Sequence, residues 1–418
     1  MQRNPLISAK LILLLALTGP HSISAAPAAA APSAQTNGVR QANGPSTTSQ
    51  GHSLLVGRAG TRARPVRAIP SQAHETRSRL PDAVDEVVRS AMAAEHIPGL
   101  SLTVLRRGEV VRQSNYGFAN LEQRTHVTAE TAFSIGSLSK QIIAAGVMLL
   151  VQEGKIDLDA SVSHYISDVP DAWRPITARH LLTHTSGLVR EAPGFDGERD
   201  QSVMEVLRTA YSLPLNAPPG ERFEYSNTGY FLLAELITRV SATPWQNFID
   251  TRFFRPLGMM ATRPTSRVDI IPLRASGYGW RDGRFQNVQS YLALRPSGAF
   301  VSTAADMAKW ERSIVAGAIL TQRSRELMWT AARLNNGEEV PYGFGWRLEQ
   351  VNGVREIGHA GVLPGFRAYY ARYPDQDLTI IALANANNSS TEPTRVVRAV
   401  ARELMAQQSP RPTNTRGN

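Results

Sequence analysis

Residues 138–152, LSKQIIAAGVMLLVQ, are apolar nearly all the way round a helical wheel. A helix without a polar face has to be covered on every side, so other layers of the fold must lie against all its faces. Gly154 supplies its stop. Such a helix needs a sizeable core around it, and a chain of 418 residues with 42% hydrophobic side chains can build one.

The flanking segments say what wraps that helix. Val84, Val87, Val88, Ala91 and Met92 keep helical spacing, and residues 100–105 and 110–116 flank Arg106-Arg107-Gly108-Glu109 as the two arms of a hairpin. Helical patterns follow over 177–185, 230–240 and 243–254, the last opened by Thr243-Pro244. Residues 299–302 predict a strand, 303–315 and 322–332 helices, and 343–348, 354–359, 366–373 and 378–384 further strands. Pro374-Asp375-Gln376-Asp377 makes a tight turn between the last two, and 396–405 closes the chain as an amphipathic helix. The order predicts an α/β fold: an antiparallel sheet flanked by helices, interrupted by an inserted all-α domain at about residues 131–290.

At the N-terminus Arg3 and Lys10 precede the apolar run 11–17 and the small residues 22–26, the pattern of a secretory signal peptide over 1–26. Residues 27–80 read as a disordered linker, 81–410 as the folded domain and 411–418 as a flexible tail. This places the protein in the periplasm or outside the cell, with no transmembrane segment in the mature chain. The formal charge of +10 belongs to the ends, because residues 81–410 carry 34 basic and 34 acidic side chains. A neutral domain excludes nucleic acid as a partner, while the arginine-rich linker suits an anionic cell-envelope polymer or plain solvation. The absence of cysteine excludes disulfides, thiolate metal sites and a cysteine nucleophile.

Only four lysines occur, Lys10, Lys140, Lys155 and Lys309, in a chain that otherwise uses arginine. Arginine keeps its proton, whereas a buried lysine can lose its own and act as a base. Lys140 stands three residues after Ser137, so the two side chains share a helical face as a nucleophile and a candidate base. Ser137 would also sit at the helix N-terminus, where free N–H groups favour a developing negative charge. Tyr225 in Tyr225-Ser226-Asn227 can relay a proton, and the Asn227 amide can grip a substrate carbonyl. His180 and His184, at i and i+4, lack the intervening glutamate and third ligand of a zinc site and read as structural histidines.

Ser137-Leu138-Ser139-Lys140, Tyr225-Ser226-Asn227 and His359-Ala360-Gly361, in that order, resemble the three motifs of the penicillin-recognising serine hydrolases in their class C β-lactamase-like branch. The phrases around His184, Tyr342-Gly343-Phe344-Gly345-Trp346 and Pro364-Gly365-Phe366 are similar to that branch too. The resemblance implies a β-lactamase/transpeptidase-like fold and an acyl-enzyme on Ser137. It implies proton transfers shared by Lys140 and Tyr225, substrate binding by Asn227, His359 and Gly361, and an oxyanion hole from the N–H groups of Ser137 and Val362. It implies no metal and no organic cofactor. His359 stands where β-lactamases and D,D-peptidases usually carry lysine. This favours hydrolysis of small esters or D-amino-acid peptides and amides over a β-lactamase or D,D-peptidase. A non-catalytic envelope-binding protein is the reading from a different class. Residues 260–296, with Tyr278, Trp280, Tyr291 and Leu292, suit either a lid over the site or packing on the helical domain.

Overall fold

The computed structural model describes residues 82–290, 295–387 and 392–407. The signal peptide, linker and tail readings lie outside these residues. Helix α1 (Ala83–Ala94) is capped by Asp82, whose side chain accepts from the Asp85 N–H at 3.0 Å. Strands β1 (Gly99–Arg106) and β2 (Glu109–Asn120) form the expected hairpin, followed by β3 (Thr125–His126) and β4 (Phe133–Ser134). Then come α2 (Ser139–Gln152), α3 (Ala178–Leu182), α4 (Val203–Ala210), α5 (Asn227–Ser241) and α6 (Trp245–Ile249), the last continued by a π-helical turn, Asp250–Phe254. Short strands β5 (Arg263–Pro264), β6 (Tyr278–Arg281), β7 (Arg284–Asn287) and β8 (Phe300–Ser302) lead to α7 (Ala304–Ala316) and α8 (Gln322–Met328). The chain ends through β9 (Ala332–Arg333), β10 (Glu339–Val340), β11 (Arg347–Val351), β12 (Val354–Leu363), β13 (Phe366–Tyr373), β14 (Leu378–Ala384) and α9 (Glu392–Ala406).

The main sheet is antiparallel, in the order β11-β12-β13-β14-β1-β2-β3, so the first hairpin and the last strands of the sequence meet at β1 and β14. Its two-residue period sorts the strands' side chains between two layers. Ile380, Ala382 and Ala384 join Leu100, Leu102 and Val104 under α1 and α9, whereas Ile381, Leu383 and Tyr370 enter the larger core that contains α2. Every residue of α2 from Ser139 to Leu150 is buried, as its lack of a polar face requires. Glu356 on β12 ties α9 to the sheet. Its carboxylate accepts from the hydroxyls of Tyr369 at 2.5 Å and Tyr373 at 2.7 Å and from Arg398 at 2.6 Å.

One strand expectation shifts. Residues 343–346 are not extended; they fold as a turn in which Gly345 has φ +78°, and β11 begins only at Arg347. A Cβ at Gly345 would stand 2.9 Å from the Lys140 carbonyl carbon, so this turn is laid directly on the start of α2. Among the described residues no helix is long and apolar enough to cross a membrane.

Candidate active site

Ser137 lies in a 3-10 turn, Gly136–Leu138, that runs into α2. Gly136 has φ +53°, and a Cβ there would come within 2.7 Å of the Val362 backbone nitrogen. Glycine therefore lets the nucleophile turn press against β12. One turn further on, Lys140 is fully buried and its Nζ lies 3.1 Å from Ser137 Oγ, 2.7 Å from Asn227 Oδ1 and 3.0 Å from the Ser297 carbonyl.

Burial holds the Lys140 ammonium well below its ordinary value, helped by the positive charges of Arg295 and Arg190 and opposed by Glu191. The ring faces of Tyr225 and Tyr230, 4.7 and 5.2 Å away, favour the cation, but desolvation outweighs them. A neutral amine has two N–H groups and one lone pair. Asn227 Oδ1 and the Ser297 carbonyl can only accept, and the Asn227 amide is oriented by its Nδ2 donating to Glu191. The ammonium donates to all three oxygens, whereas in the neutral form that burial favours both Lys140 N–H groups are committed to these acceptors and the lone pair faces the Ser137 hydroxyl. That is the arrangement a base needs.

Tyr225 immediately precedes Ser226, whose hydroxyl caps α5 by accepting from the Gly229 N–H at 3.0 Å. Burial pushes the phenol up to about 12, even though a hydrogen bond to Ser137 and the charges of Arg347, Arg190 and Arg295 pull it down. At neutral pH Tyr225 thus keeps its proton within hydrogen-bond reach of Ser137.

The third motif lies on β12. His359 is pushed down to about 3, first by burial and then by Lys140 and Arg347, against a backbone hydrogen bond to Ala360. A Cβ at Gly361 would meet the Ile135 carbonyl oxygen at 2.0 Å, so this glycine too permits the contact between β12 and the nucleophile turn. Pairing with β11 ends at Arg347 and Gly358. From His359 to Leu363 that edge of β12 has no strand beside it among the described residues, and Ala360, Val362 and Leu363 line a cavity of about 490 Å³ together with Ser137, Tyr225 and Asn227.

Four arginines line the same cavity, Arg190, Arg295, Arg347 and Arg367, against a single carboxylate, Glu191. Arg295 pairs with Glu191 at 2.5 Å, while Arg190 and Arg347 have no carboxylate partner among the described residues. Sequence reasoning passed over these charges. Their signal was position, since Arg190 and Glu191 directly follow the phrase around His184, and Arg347 directly follows Trp346. The Ser297 carbonyl, a backbone group, left no sequence signal. Tyr278 and Trp280 do not line the cavity: Tyr278 donates to Glu122 and Trp280 stacks on His96 at 4.0 Å. Tyr291 and Leu292 lie outside the described residues. His184 is buried in a hydrogen-bonded network, and no group of metal-ligating side chains occurs among the described residues.

Comparison with known proteins identifies the family. The family model described as Beta-lactamase matches residues 84–404. Penicillin-binding protein 4* of Bacillus subtilis (strain 168) is 28% identical over 324 residues, covering 72% of this chain and 71% of that protein. Among solved structures, the octameric penicillin-binding protein homologue from Pyrococcus abyssi superposes with a TM-score of 0.67 at 27% identity, covering 78% of this chain and 77% of that one. The D-amino acid amidase from Ochrobactrum anthropi SV3 gives 0.68 at 25% identity, covering 78% of this chain and 99% of that one. With its antiparallel sheet, its nucleophile turn on the central helix and these relatives, the chain belongs to the beta-lactamase family and is a serine hydrolase.

Proposed function

We propose that this protein is an exported acyl hydrolase that forms an ester on Ser137 and cleaves D-amino-acid peptides carrying a free carboxylate. The carrying observation is the position of Lys140 Nζ, within hydrogen-bond distance of Ser137 Oγ and otherwise held by two acceptors, Asn227 Oδ1 and the Ser297 carbonyl. In acylation, Ser137 Oγ bonds to the substrate carbonyl carbon and its proton passes to Lys140 Nζ. The oxyanion is held by the N–H groups of Ser137 and Val362. As the scissile C–N bond breaks, Tyr225 gives its proton to the departing nitrogen, and the proton on Lys140 restores it. In deacylation water attacks the ester, a proton moves to the same pair, and Ser137 recovers its hydrogen.

The arginine-lined cavity supports an anionic substrate, and the unpaired edge of β12 supports an extended peptide backbone laid along it. The likeness to a D-amino acid amidase supports D-configured amides. A neutral ester would leave the positive charge of Arg190 and Arg347 without a substrate counterpart. The pattern of Arg3, Lys10 and the apolar run 11–17 supports export.

A β-lactam is a second reading with its own observation. Arg347 puts a permanent charge beside His359, where the sequence motif alone offers a neutral imidazole. A panel of an acyl-D-alanyl-D-alanine peptide, its C-terminal amide, a p-nitrophenyl ester and a chromogenic cephalosporin separates these. The free-acid peptide should have the highest kcat/KM, and mass spectrometry after a fluorophosphonate should place the adduct on Ser137. Label elsewhere, or preference for the neutral ester, overturns the proposal; preference for the cephalosporin installs the second reading.

A further inference from the structure

Two imidazoles and a phenol beside the cleft have no part in the proton transfers above. Ser226 N–H lies 3.1 Å from His184 Nδ1, His184 Nε2 3.1 Å from the Tyr342 hydroxyl, Tyr342 Oη 3.0 Å from His359 Nε2, and His359 Nδ1 2.7 Å from the Ala360 carbonyl. All three side chains are buried. The ends set the direction of the whole series. A backbone N–H can only donate, so His184 Nδ1 accepts and its proton sits on Nε2. A carbonyl can only accept, so His359 carries its proton on Nδ1 and accepts at Nε2. The Tyr342 oxygen then receives from His184 and its hydroxyl donates to His359. Each neutral ring has one donor and one acceptor, and every one is used. Tyr230, the neighbouring phenol, gives its own proton to the Leu182 carbonyl.

We infer that His184, Tyr342 and His359 form a single neutral, proton-ordered strut that spans the cleft from the start of α5 to the open edge of β12, and that Tyr342 is a positioning residue for the reaction. One end of the strut is Ser226, between Tyr225 and Asn227; the other is Ala360, two residues before Val362. The strut therefore sets the separation between the proton-transfer side of the site and its oxyanion side. It also cannot take up a proton at one member without turning the Tyr342 hydroxyl away to its other hydrogen-bond partner, Tyr230. A proton on His359 Nε2 would turn an acceptor into a donor against Tyr342. Reversing Tyr342 would then set its proton against the His184 Nε2–H, and moving that proton to Nδ1 would set it against the Ser226 N–H. The permanent charges facing the strut reinforce this: Arg347 acts on both imidazoles and Arg190 on His184, Lys140 adds to them only when it carries its proton, and the remaining neighbours, Tyr225 and Tyr230, are protonated phenols.

The inference rests on the proposed reaction only for its kinetic part. Long-range proton–nitrogen NMR on the full chain with labelled imidazoles tests the strut without any substrate. His184 should appear as the Nε2–H tautomer and His359 as the Nδ1–H tautomer, both staying neutral at pH 5. An imidazolium at either position, or an Nε2–H on His359, overturns the strut. Tyr342→Phe keeps the ring and removes only the link. Its kcat on the preferred substrate should fall by about ten- to a hundred-fold with KM changed less than about twofold. His359 stays buried beside Arg347 in that variant and should remain neutral, but its Nε2 loses the donor that fixes the tautomer, so a mixed Nδ1–H and Nε2–H signal should replace the single one. An unchanged kcat and an unchanged His359 tautomer in a folded Tyr342→Phe protein overturn the positioning role. If the wild type turns over nothing, the proposed function fails while the NMR result still decides the strut.

Discussion

At the scale of single residues, the site depends on which groups are uncharged. Burial and facing cations push Lys140 toward its neutral form, and its charge state has consequences for activity and for stability. Lys140→Arg replaces a group that can lose its proton by one that cannot, and single-turnover acylation should slow by roughly 10²–10⁴-fold, the usual worth of a positioned base. Stability follows by linkage. A lysine with a lowered folded value binds fewer protons folded than unfolded, so stability rises with pH until the unfolded lysine also deprotonates, near about 10.4. Urea denaturation from neutral pH to about 10 should therefore show wild type gaining on Lys140→Met. His184 and His359 are likewise lowered and have the same sign at the acid end. The unfolded chain takes up two protons below about 6.5 that the folded site refuses, so the pair should remove up to about 2.7 kcal/mol per pH unit as pH falls from there toward 4. A double substitution of the histidines that left this slope unchanged would refute the assignment.

Among elements, the close approach of β12 to the nucleophile turn is made by two glycines, one on each side. Gly136 combines a left-handed φ with a Cβ position 2.7 Å from a backbone nitrogen, whereas Gly353 has φ +78° and open space around it. Gly353→Ala should cost only the conformational strain, about 1–2 kcal/mol in thermal or urea denaturation, with kcat unaltered. Gly136→Ala should cost more and also lower kcat, because Val362 must move away from Ser137. Equal effects of the two substitutions on kcat would show that the approach does not matter to the chemistry. Element identity was readable wherever periodicity was strong. The unbroken apolar face of α2, the hairpin of β1 and β2, and the largely apolar runs of β13 and β14 on either side of a turn all carried their own signal. Residues 343–346 did not: Tyr342, Phe344 and Trp346 alternate like a strand, yet their aromatic rings are buried by a turn whose shape comes from packing on Lys140.

For the whole molecule, the charge that matters is local. The domain between the chain ends is formally neutral, but its cavity gathers four arginines around one glutamate. Attraction of an anionic substrate into such a cleft weakens with salt, so kcat/KM for a free-acid peptide should fall as ionic strength rises from about 0.01 to 0.5 M, while that for a neutral ester stays flat. Arg347→Gln should raise KM for the acid and leave the ester unaffected; parallel changes for both substrates would remove electrostatics as the cause. The sequence by itself determined the local facts: a helix with no polar face, Ser137 one turn from a rare lysine, glycines at the turns, and three motifs in a recognisable order. These depend on spacing along one chain, which sequence preserves. It took the folded chain to show that Lys140 is pushed toward its neutral form, that Tyr225 is pushed up, that His359 is tied at both nitrogens and that the cavity is cationic. Protonation depends on burial and on charges brought from distant segments, and neither exists until α2, α5 and β12 close around the same cleft.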